Sequence, residues 1–347
     1  MTGEQLHPYD IVIGTGGLGT GTSLALEGNH TLGREESRTV RMLDVQDRCK
    51  LHIITHYIAR LAPASLRVVP VGRVGNDVMG HSVVAELAAE GMDVTHVGVD
   101  ESRPTLHSVC FGYPDGDGGN LTVGDSASSA VTSADIESAE ALFAEHAGRG
   151  IALSAPEVTL DARVALLRSA TRHGFLRFAS FLSGEIRQAA ADGVLDLVDV
   201  LSINIDEAAA LSDHSAPADP QRAVDRACTD LRHANPNLRF CITAGRAGSW
   251  VWDGDTLHHQ EPVTVEASNT AGAGDAHLGG LILGSAAGLD LVTANEVATA
   301  LSALSVTSAD TINTEIDHDL LARFARRRGL SGTDYLGTVV DGGAVAR

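Results

Sequence analysis

The residues with the clearest chemical potential lie in one short segment, residues 269–275, which reads Asn-Thr-Ala-Gly-Ala-Gly-Asp. If a helix begins within residues 272–275, several backbone N–H groups lack an intrahelical partner, and the helix dipole favours a negative charge beside them. The carboxylate of Asp275 would stand next to that cradle, where it can accept the proton of a hydroxyl group that attacks a phosphate. The segment therefore predicts phosphoryl transfer. The alternative is a capped helix start whose glycines serve close packing.

This segment resembles the signature of the ribokinase/PfkB family of carbohydrate kinases, whose usual form is Asp-Thr-x-Gly-Ala-Gly-Asp. Asn269 stands here in place of the first Asp. The resemblance implies ATP as the phosphate donor and a catalytic base at Asp275. It also implies an anion hole formed by the backbone of four residues: Ala271, Gly272, Ala273 and Gly274. Family members that K⁺ activates use the first Asp beside the anion hole, so the sequence leaves monovalent-cation activation open.

Two further motifs follow in the family's order and imply contacts with the nucleotide and its metal. Asn204 and Glu207 match the Asn-x-x-Glu motif, which the resemblance associates with holding Mg²⁺, often through water. Mg²⁺ keeps several waters, so two protein groups are chemically sufficient. The Thr-x-Gly-x-x-Gly turn matches Thr243, Gly245 and Gly248, which would lie along the ATP. Without the resemblance, the first motif is an acidic helix start and the second is a turn between strands.

A lid over the acceptor is implied by two other segments. Residues 71–80 resemble the family's Gly-x-Val-Gly-x-Asp-x-x-Gly segment, and residues 105–111 and 120–123 flank a dense turn signal that predicts an antiparallel hairpin. The hairpin and Thr105 resemble the family's substrate-side lid, which excludes water from the reaction. The resemblance implies lid segments around 15–48 and 100–125, although turn and hairpin packing alone could account for them.

The acceptor side departs from the family pattern. Family members usually carry a sugar-binding Asp after the first strand and a Gly-Gly-x-x-x-Asn segment before the next helix. Here residues 15–22 contain no carboxylate and residues 47–53 lack the paired glycines. Losing such groups penalises an ordinary sugar, whose hydroxyls would go unpaired. Lys50 could meet an anionic group, so we expect an unusual acceptor, either already phosphorylated or a non-sugar alcohol.

The candidate residues for contacting the acceptor are Gly16, Gly17, Lys50, His52 and Thr105. His52 lies four residues before His56 on one helix face, a spacing that can bind a metal ion. No third ligand accompanies the pair, so we interpret both as ordinary helix histidines, and any further role for them stays open.

One motif points elsewhere. Residues 14–19 formally read Gly-x-Gly-x-x-Gly after a predicted strand, which is the dinucleotide-binding fingerprint of dehydrogenases. That fingerprint must lead directly into a long helix. Glycines at positions 28 and 33 interrupt the following residues, so we expect a short helix or none and do not favour a dehydrogenase.

Composition excludes several other classes of protein. Asp and Glu total 45 against 25 Lys and Arg, a formal charge of −20, so a nucleic-acid partner is not expected. No run of residues approaches the length of a membrane span, and the start of the chain does not resemble a secretion signal. The four cysteines show no metal-ligand spacing and read as free thiols, which makes a cytoplasmic location the expectation.

Strand-like runs alternate with helical patterns along most of the chain. Residues 9–14 predict a buried first strand, residues 51–61 and 83–89 predict helices, and the alternation resumes at residue 151. Such alternation predicts a mainly parallel sheet with helices on both faces, and sheets of this kind bind ligands beyond the carboxyl ends of their strands.

Together these observations predict a single ribokinase-like α/β domain over residues 1–347. It would contain a mainly parallel twisted sheet with helices on both faces and a small β-strand lid, with residues 329–347 as a loose tail. The predicted activity is transfer of the γ-phosphate of ATP, with Mg²⁺, to an alcohol group of a sugar or sugar-like molecule. Two alternatives stay open: a nucleoside or other non-sugar kinase, and a nucleotide-binding regulatory protein without turnover. Lid strands often pair between protomers, so a homodimer is also expected.

Overall fold

The computed structural model describes residues 8–115, 118–211 and 219–330. The strands within these residues are β1 Ile11–Thr15, β2 Gly19–Leu26, β3 Val40–Met42, β4 Asp47–Arg48, β5 Arg67–Gly75, β6 Val97–Asp100, β7 Leu106–Gly112, β8 Gly118–Thr122, β9 Gly150–Ser154, β10 Leu176–Ala179, β11 Val200–Asn204, β12 Arg239–Thr243, β13 Ser249–Trp252 and β14 Leu257–Gln260. The helices are α1 Lys50–Leu61, α2 Val78–Ala89, α3 Ser133–Glu137, α4 Glu140–Glu145, α5 Leu160–Arg172, α6 Ile186–Ala191, α7 Ile205–Leu211, α8 Pro220–Ala234, α9 Ala273–Ala286, α10 Leu291–Ser305 and α11 His318–Arg327.

The main sheet has nine strands in the order β14-β13-β12-β11-β10-β9-β1-β5-β6. Every neighbouring pair from β12 to β6 is parallel, whereas β13 and β14 add two antiparallel strands at one edge. This arrangement confirms the predicted mainly parallel sheet. The carboxyl ends of β1, β9, β11 and β12 therefore lie along one edge, where an open sheet of this type binds its ligands.

Alternating side chains of β1 show how the sheet is covered on both faces. Ile11 and Ile13 are fully buried in a cluster with Phe143 of α4 and residues of α5. Val12, between them, is buried in a different cluster with residues of α1 and α9. Because successive strand residues point to opposite faces, the two clusters are the two helical layers, and the predicted helices on both faces are confirmed.

A second sheet contains the two segments that were predicted to form the lid, and it is called the lid below. Its strands run in the order β3-β2-β7-β8, with β4 also paired to β2. The predicted hairpin is confirmed, because β7 and β8 pair in antiparallel register. Residues 19–26 form β2 and not a helix, so the Gly-x-Gly-x-x-Gly string enters a strand, and the expectation that it is no dinucleotide fingerprint is confirmed.

Two helices, α2 and α8, differ from what the sequence predicted. Helix α2 begins at Val78, five residues before the predicted start, because the side chain of Asp77 accepts a hydrogen bond from the Gly80 N–H and caps the helix. The long helix α8 was not predicted at all. Most of the expected tail, residues 331–347, lies outside the described residues. None of the helices in the described part of the chain is long and apolar enough to span a membrane.

Candidate active site

The glycine-rich segment adopts the geometry that an anion hole needs. Gly272 has φ +79°, a left-handed conformation that favours glycine, and α9 begins immediately after it. No side chain caps this helix start. A Cβ atom added to Gly274 would meet no atom within 4 Å. Two of the four N–H groups expected to form the anion hole are already used: the Ala271 N–H donates to the Asn269 Oδ1 atom at 2.9 Å, and the Ala273 N–H donates to the Thr270 carbonyl oxygen at 3.3 Å. The N–H groups of Gly272 and Gly274 are left for a ligand, and the helix dipole favours a phosphate there.

Asp275, in the first turn of α9, lies next to the start of α1. Its Oδ2 atom is 3.6 Å from the Nζ atom of Lys50, the first residue of α1, and its side chain is 14 % exposed. The two helices are in close contact, because a Cβ atom on Gly279 would come within 3.2 Å of the Ile54 carbonyl oxygen. Burial raises the pKa of Asp275, and the ammonium of Lys50 opposes that shift. Asp275 in turn raises the pKa of Lys50, which keeps the ammonium protonated.

Lys50 is the only lysine in the chain. The other 24 of its 25 basic residues are arginines. An ammonium is a compact point charge, whereas a guanidinium is a large planar fork, so the two are not interchangeable where space is limited. The chain uses arginine at all its remaining basic positions and lysine only beside Asp275. This choice indicates that position 50 requires the smaller group.

Glu157 was not predicted and lies on the other side of Lys50. Its Oε2 atom accepts a hydrogen bond from the Lys50 backbone N–H at 3.3 Å. Its backbone has φ +74°, a strained conformation for a residue other than glycine. Burial raises the pKa of Glu157 to about 7, and the charge of Lys50 only partly opposes this shift. A half-buried carboxyl group with a strained backbone and a raised pKa, beside Lys50, is typical of a functional position.

A second unpredicted carboxylate, Asp47, belongs to the lid strand β4. It is 5 % exposed and accepts hydrogen bonds from the Ser108 hydroxyl at 3.2 Å and the Cys110 thiol at 3.4 Å. The absence of a side chain at Gly21 leaves room for it, because a Cβ atom there would overlap the carboxylate. The negative charge of Asp47 contributes to the raised pKa of Asp275. The lid therefore places a carboxylate near the acceptor side, from β4 and not from the segment after β1.

The proposed Mg²⁺ residues meet at the ends of two neighbouring strands. Asn204, the last residue of β11, pairs in register with Thr243 at the end of β12. Asn204 and Glu207 form reciprocal hydrogen bonds of 2.8 Å, each side chain accepting from the other's backbone N–H. This is a capping arrangement at the start of α7, as the structural interpretation of the motif predicted. Burial raises the pKa of Glu207 to about 7, although the hydrogen bond from the Asn204 N–H and the charge of Lys50 oppose that shift.

The turn after β12 joins it to the antiparallel strand β13, as the structural interpretation of the motif predicted. Gly245 has φ +52°, and a Cβ atom there would meet nothing within 4 Å. Gly248 has φ +87°, and a Cβ atom there would collide with the Gln260 carbonyl oxygen. Both positions require glycine, Gly248 for close approach to β14 and Gly245 for its conformation. The open side at Gly245 leaves the backbone accessible to a ligand.

Two of the predicted acceptor residues do not reach this site. His52 is completely buried, and its Nε2 atom lies 3.2 Å from Glu90 at the end of α2. His56 lies 2.9 Å from the same carboxylate. Burial opposes ionisation of Glu90, but the hydrogen bonds from both histidines outweigh it and lower its pKa to about 2. Thr105 is also buried, and its hydroxyl donates to Asp77 at 2.7 Å. His52 and Thr105 therefore hold the fold together here instead of lining the pocket.

Gly16 and Gly17, by contrast, lie beside the site. A Cβ atom on Gly17 would overlap the Glu157 side chain, and one on Gly16 would overlap Ala155. Gly17 therefore makes room for the Glu157 carboxyl group. Sequence reasoning missed Glu157 although one signal was available: it follows the buried strand β9 by three residues, at the edge where ligands bind.

The sequence matches a model of pfkB family carbohydrate kinases over residues 54–318. The fold is similar to that of a ribokinase from Cryptococcus neoformans var. grubii serotype A in complex with ADP, with TM-score 0.74, 16% identity, and coverage of 90% of this chain and 98% of that chain. It is also similar to an aminoimidazole riboside kinase from Salmonella enterica complexed with aminoimidazole riboside and an ATP analog, with TM-score 0.67, 18% identity, and coverage of 90% and 99%. No curated protein matches the sequence.

Proposed function

The chain belongs to the pfkB family of carbohydrate kinases, and from that premise we propose that it transfers the γ-phosphate of ATP to a hydroxyl group of a small polyhydroxy alcohol. The observation that carries this proposal is the position of Asp275 between the uncapped start of α9 and the ammonium of Lys50. A proton acceptor, a backbone anion site and a positive charge within one small space are the parts that phosphoryl transfer requires.

In the proposed reaction Asp275 accepts the proton of the acceptor hydroxyl as its oxygen attacks the γ-phosphorus. The N–H groups of Gly272 and Gly274, at the start of α9, hold the phosphate oxygens where negative charge develops. Lys50 favours the ionised form of Asp275, because a neighbouring ammonium stabilises the charged form of a carboxylate and opposes the effect of burial on its pKa. Its own positive charge also offsets the phosphate charge.

Residues Asn204 and Glu207 are the candidates for holding Mg²⁺. When bound there, the ion would neutralise charge on the ATP phosphates. Thr243, with the glycines at positions 245 and 248, is the candidate for contacts with the nucleotide, whereas the Ala271 N–H that the sequence assigned to it already donates to Asn269. Thr243 lies beside Asn204 in the sheet, so one continuous edge would bind both the metal and the phosphates.

Charge in the pocket argues for an acceptor without a phosphate. Lys50 is already paired with Asp275, and the carboxyl groups of Glu157 and Asp47 lie nearby. One ammonium against three carboxyl groups leaves no free positive charge for an anionic acceptor. Carboxylates are good acceptors for the hydroxyl groups of a neutral polyol. We therefore favour a neutral polyhydroxy alcohol over the phosphorylated acceptor that Lys50 suggested from the sequence.

A nucleoside or other non-sugar kinase is the second candidate. The observation that favours it is that residues 15–22 contain no carboxylate. Asp47 of β4 provides one instead, from a different point of the site. A displaced hydrogen-bonding group selects a differently shaped acceptor. A regulatory protein without turnover is disfavoured, because both the proposed base and the open helix start are intact.

A substrate panel tests the proposal. ATP consumption would be measured with neutral sugars, polyols, nucleosides and sugar phosphates, using Asp275→Asn as the control for background hydrolysis. We expect turnover with a neutral polyol or nucleoside, and its loss in the variant. Turnover confined to sugar phosphates would reject the neutral acceptor, and full activity of the variant would reject the mechanism.

The lid is also a candidate surface for a homodimer. Its outer strands β3 and β8 expose two large apolar side chains, Met42 at 70 % and Leu121 at 61 %. Edge strands with such residues pair readily with another chain. Light scattering of the wild type and of Met42→Lys with Leu121→Lys would show whether the mass falls from a dimer to a monomer. A cytoplasmic location stays a prediction; all four cysteines are free in the structure.

A further inference from the structure

Asn269, the residue that departs from the family signature, joins two loops beside the anion hole. Its Nδ2 atom donates to the Ala309 carbonyl oxygen at 2.8 Å, and its Oδ1 atom accepts from the Ala271 N–H at 2.9 Å. One amide group therefore links the segment that leads into α9 to the loop that follows α10. Both halves of the amide are used, and they are used in opposite directions, as donor and as acceptor.

Backbone hydrogen bonds continue the same link. The N–H groups of Ser268 and Asn269 donate to the Val306 carbonyl oxygen at 2.7 and 3.2 Å. The Thr311 carbonyl oxygen lies 3.0 Å from where a Cβ atom of Gly272 would be. The anion-hole segment thus rests against a row of carbonyl groups from residues 306–311. Among these contacts, the Asn269 amide makes the side-chain connection nearest the anion hole.

The same loop also contacts the base of the lid. The Thr311 N–H donates to the Gln46 carbonyl oxygen at 3.1 Å, and the Arg48 N–H donates to the Thr311 hydroxyl at 2.9 Å. Asp47, the lid carboxylate near the acceptor, lies between these two residues. Residues 306–311 therefore join the phosphate side to the acceptor side, and the Asn269 amide is the side-chain bond that, with two backbone bonds to Val306, attaches the phosphate side to them.

An amide is chemically suited to this position in a way that a carboxylate is not. A carboxylate at position 269 would place a negative oxygen opposite the Ala309 carbonyl oxygen, with no hydrogen between them. Two such oxygens repel each other unless a cation or a proton lies between them. The neutral Nδ2 donor replaces that cation with a direct hydrogen bond.

We propose that Asn269 is a positioning residue, whose amide holds the anion hole in its binding geometry without help from a monovalent cation. This inference rests on the proposed function, since it assumes that the start of α9 binds the ATP phosphates. It goes further in assigning a role to a residue that contacts no substrate. It also predicts that ATP binding does not depend on a monovalent cation, which the sequence left open.

ATP binding is the measurement that tests the proposal, because it requires no knowledge of the acceptor. Calorimetric titration of ATP with MgCl₂ would be done in tetramethylammonium chloride and in KCl at equal ionic strength. We expect the wild type to bind equally in both salts, within about twofold. Asn269→Asp should bind about tenfold more weakly in tetramethylammonium chloride and recover in KCl. Asn269→Ala should bind more weakly in both salts, because it has neither the donor nor the carboxylate.

A matched control adds the same charge elsewhere. Asn237 lies on the exposed surface before the amino end of β12, away from the ligand edge. The Asn237→Asp variant should bind ATP like the wild type in both salts. Folding of each variant would be checked by its thermal unfolding midpoint. A folded Asn269→Asp that binds ATP equally in both salts, tightly or weakly, would overturn the proposal, as would a wild type that needs KCl. A wild type that binds no ATP in either salt would instead refute the proposed function.

Discussion

The proposed anion-binding part of the phosphate side is one contiguous segment, residues 269–275, whereas the acceptor side combines Asp47 and Lys50, which are close in sequence, with the distant Glu157. The phosphate side uses backbone groups at a helix start, so its geometry follows from glycine positions that are adjacent in sequence. The acceptor side uses side chains whose proximity depends on how α1, β4 and the end of β9 pack. Chemistry built from backbone at a helix start is recognisable in a sequence, and chemistry built from distant side chains is not.

The largest effect should come from the one residue that belongs to both sides. Asp275→Asn removes the proton acceptor but keeps the size of the side chain, so we expect kcat to fall about a thousandfold. Steady-state kinetics with the acceptor identified by the panel would measure this. The matched control is Asp319→Asn on α11, whose side chain is 87 % exposed and which should keep full activity. Equal losses in the two variants would mean that Asp275 has no special role.

Lys50 should come next, since it joins the two sides electrostatically. Lys50→Ala should lower kcat about a hundredfold, because Asp275 loses the charge that favours its ionised form. Without that ammonium the pKa of Asp275 rises further, so the acid limb of the pH profile should move to higher pH. Lys50→Arg keeps the charge and should leave the limb in place, yet it should not restore the rate if the site requires the smaller ammonium. Full activity of Lys50→Arg would contradict the inference that position 50 requires the smaller ammonium group.

Glu157 belongs to the acceptor side alone, so its substitution should separate the two sides. Glu157→Gln should raise the KM of the acceptor about tenfold and leave the affinity for ATP unchanged. Glu137→Gln, an exposed carboxylate on α3, is the control and should change neither. An equal loss of ATP affinity in Glu157→Gln would show that the two sides are not separable.

The Glu157→Gln variant should also change how the stability of the protein depends on pH. The pKa of Glu157 is raised to about 7 in the fold, above its ordinary value, so its ionisation destabilises the folded state. Its contribution to stability is present at low pH and is lost as the pH rises through about 7. The unfolding midpoint of Glu157→Gln relative to wild type should therefore be higher at pH 8 than at pH 5.

The smallest effect on activity is expected at His52, which the sequence placed on the acceptor side and the structure places against Glu90. His52→Gln should leave the acceptor KM within about twofold of wild type. Because His52 is fully buried, its loss should lower the free energy of unfolding by about 1–3 kcal/mol. Chemical denaturation and acceptor kinetics would measure the two effects. A large rise in KM with unchanged stability would show that His52 contributes to the acceptor site after all.

The sequence by itself determined the family, the parallel sheet and the phosphate side. Each of these depends on patterns among near neighbours: alternation of strand and helix signals, and glycines beside Asp275. Tertiary structure alone decided the acceptor side. Thr105 and His52 looked available for binding but are buried in hydrogen bonds with Asp77 and Glu90.

The sequence offered only one signal for Glu157, its position three residues after β9, and did not assign Asp47 to the site. Glu157 becomes notable only because β9 ends beside α1 and Gly17 leaves space for its carboxyl group. Asp47 is placed by the pairing of β4 with β2. The physical reason is the same for both: backbone geometry at a helix start is set by adjacent residues, whereas the meeting of side chains from distant segments is set by packing.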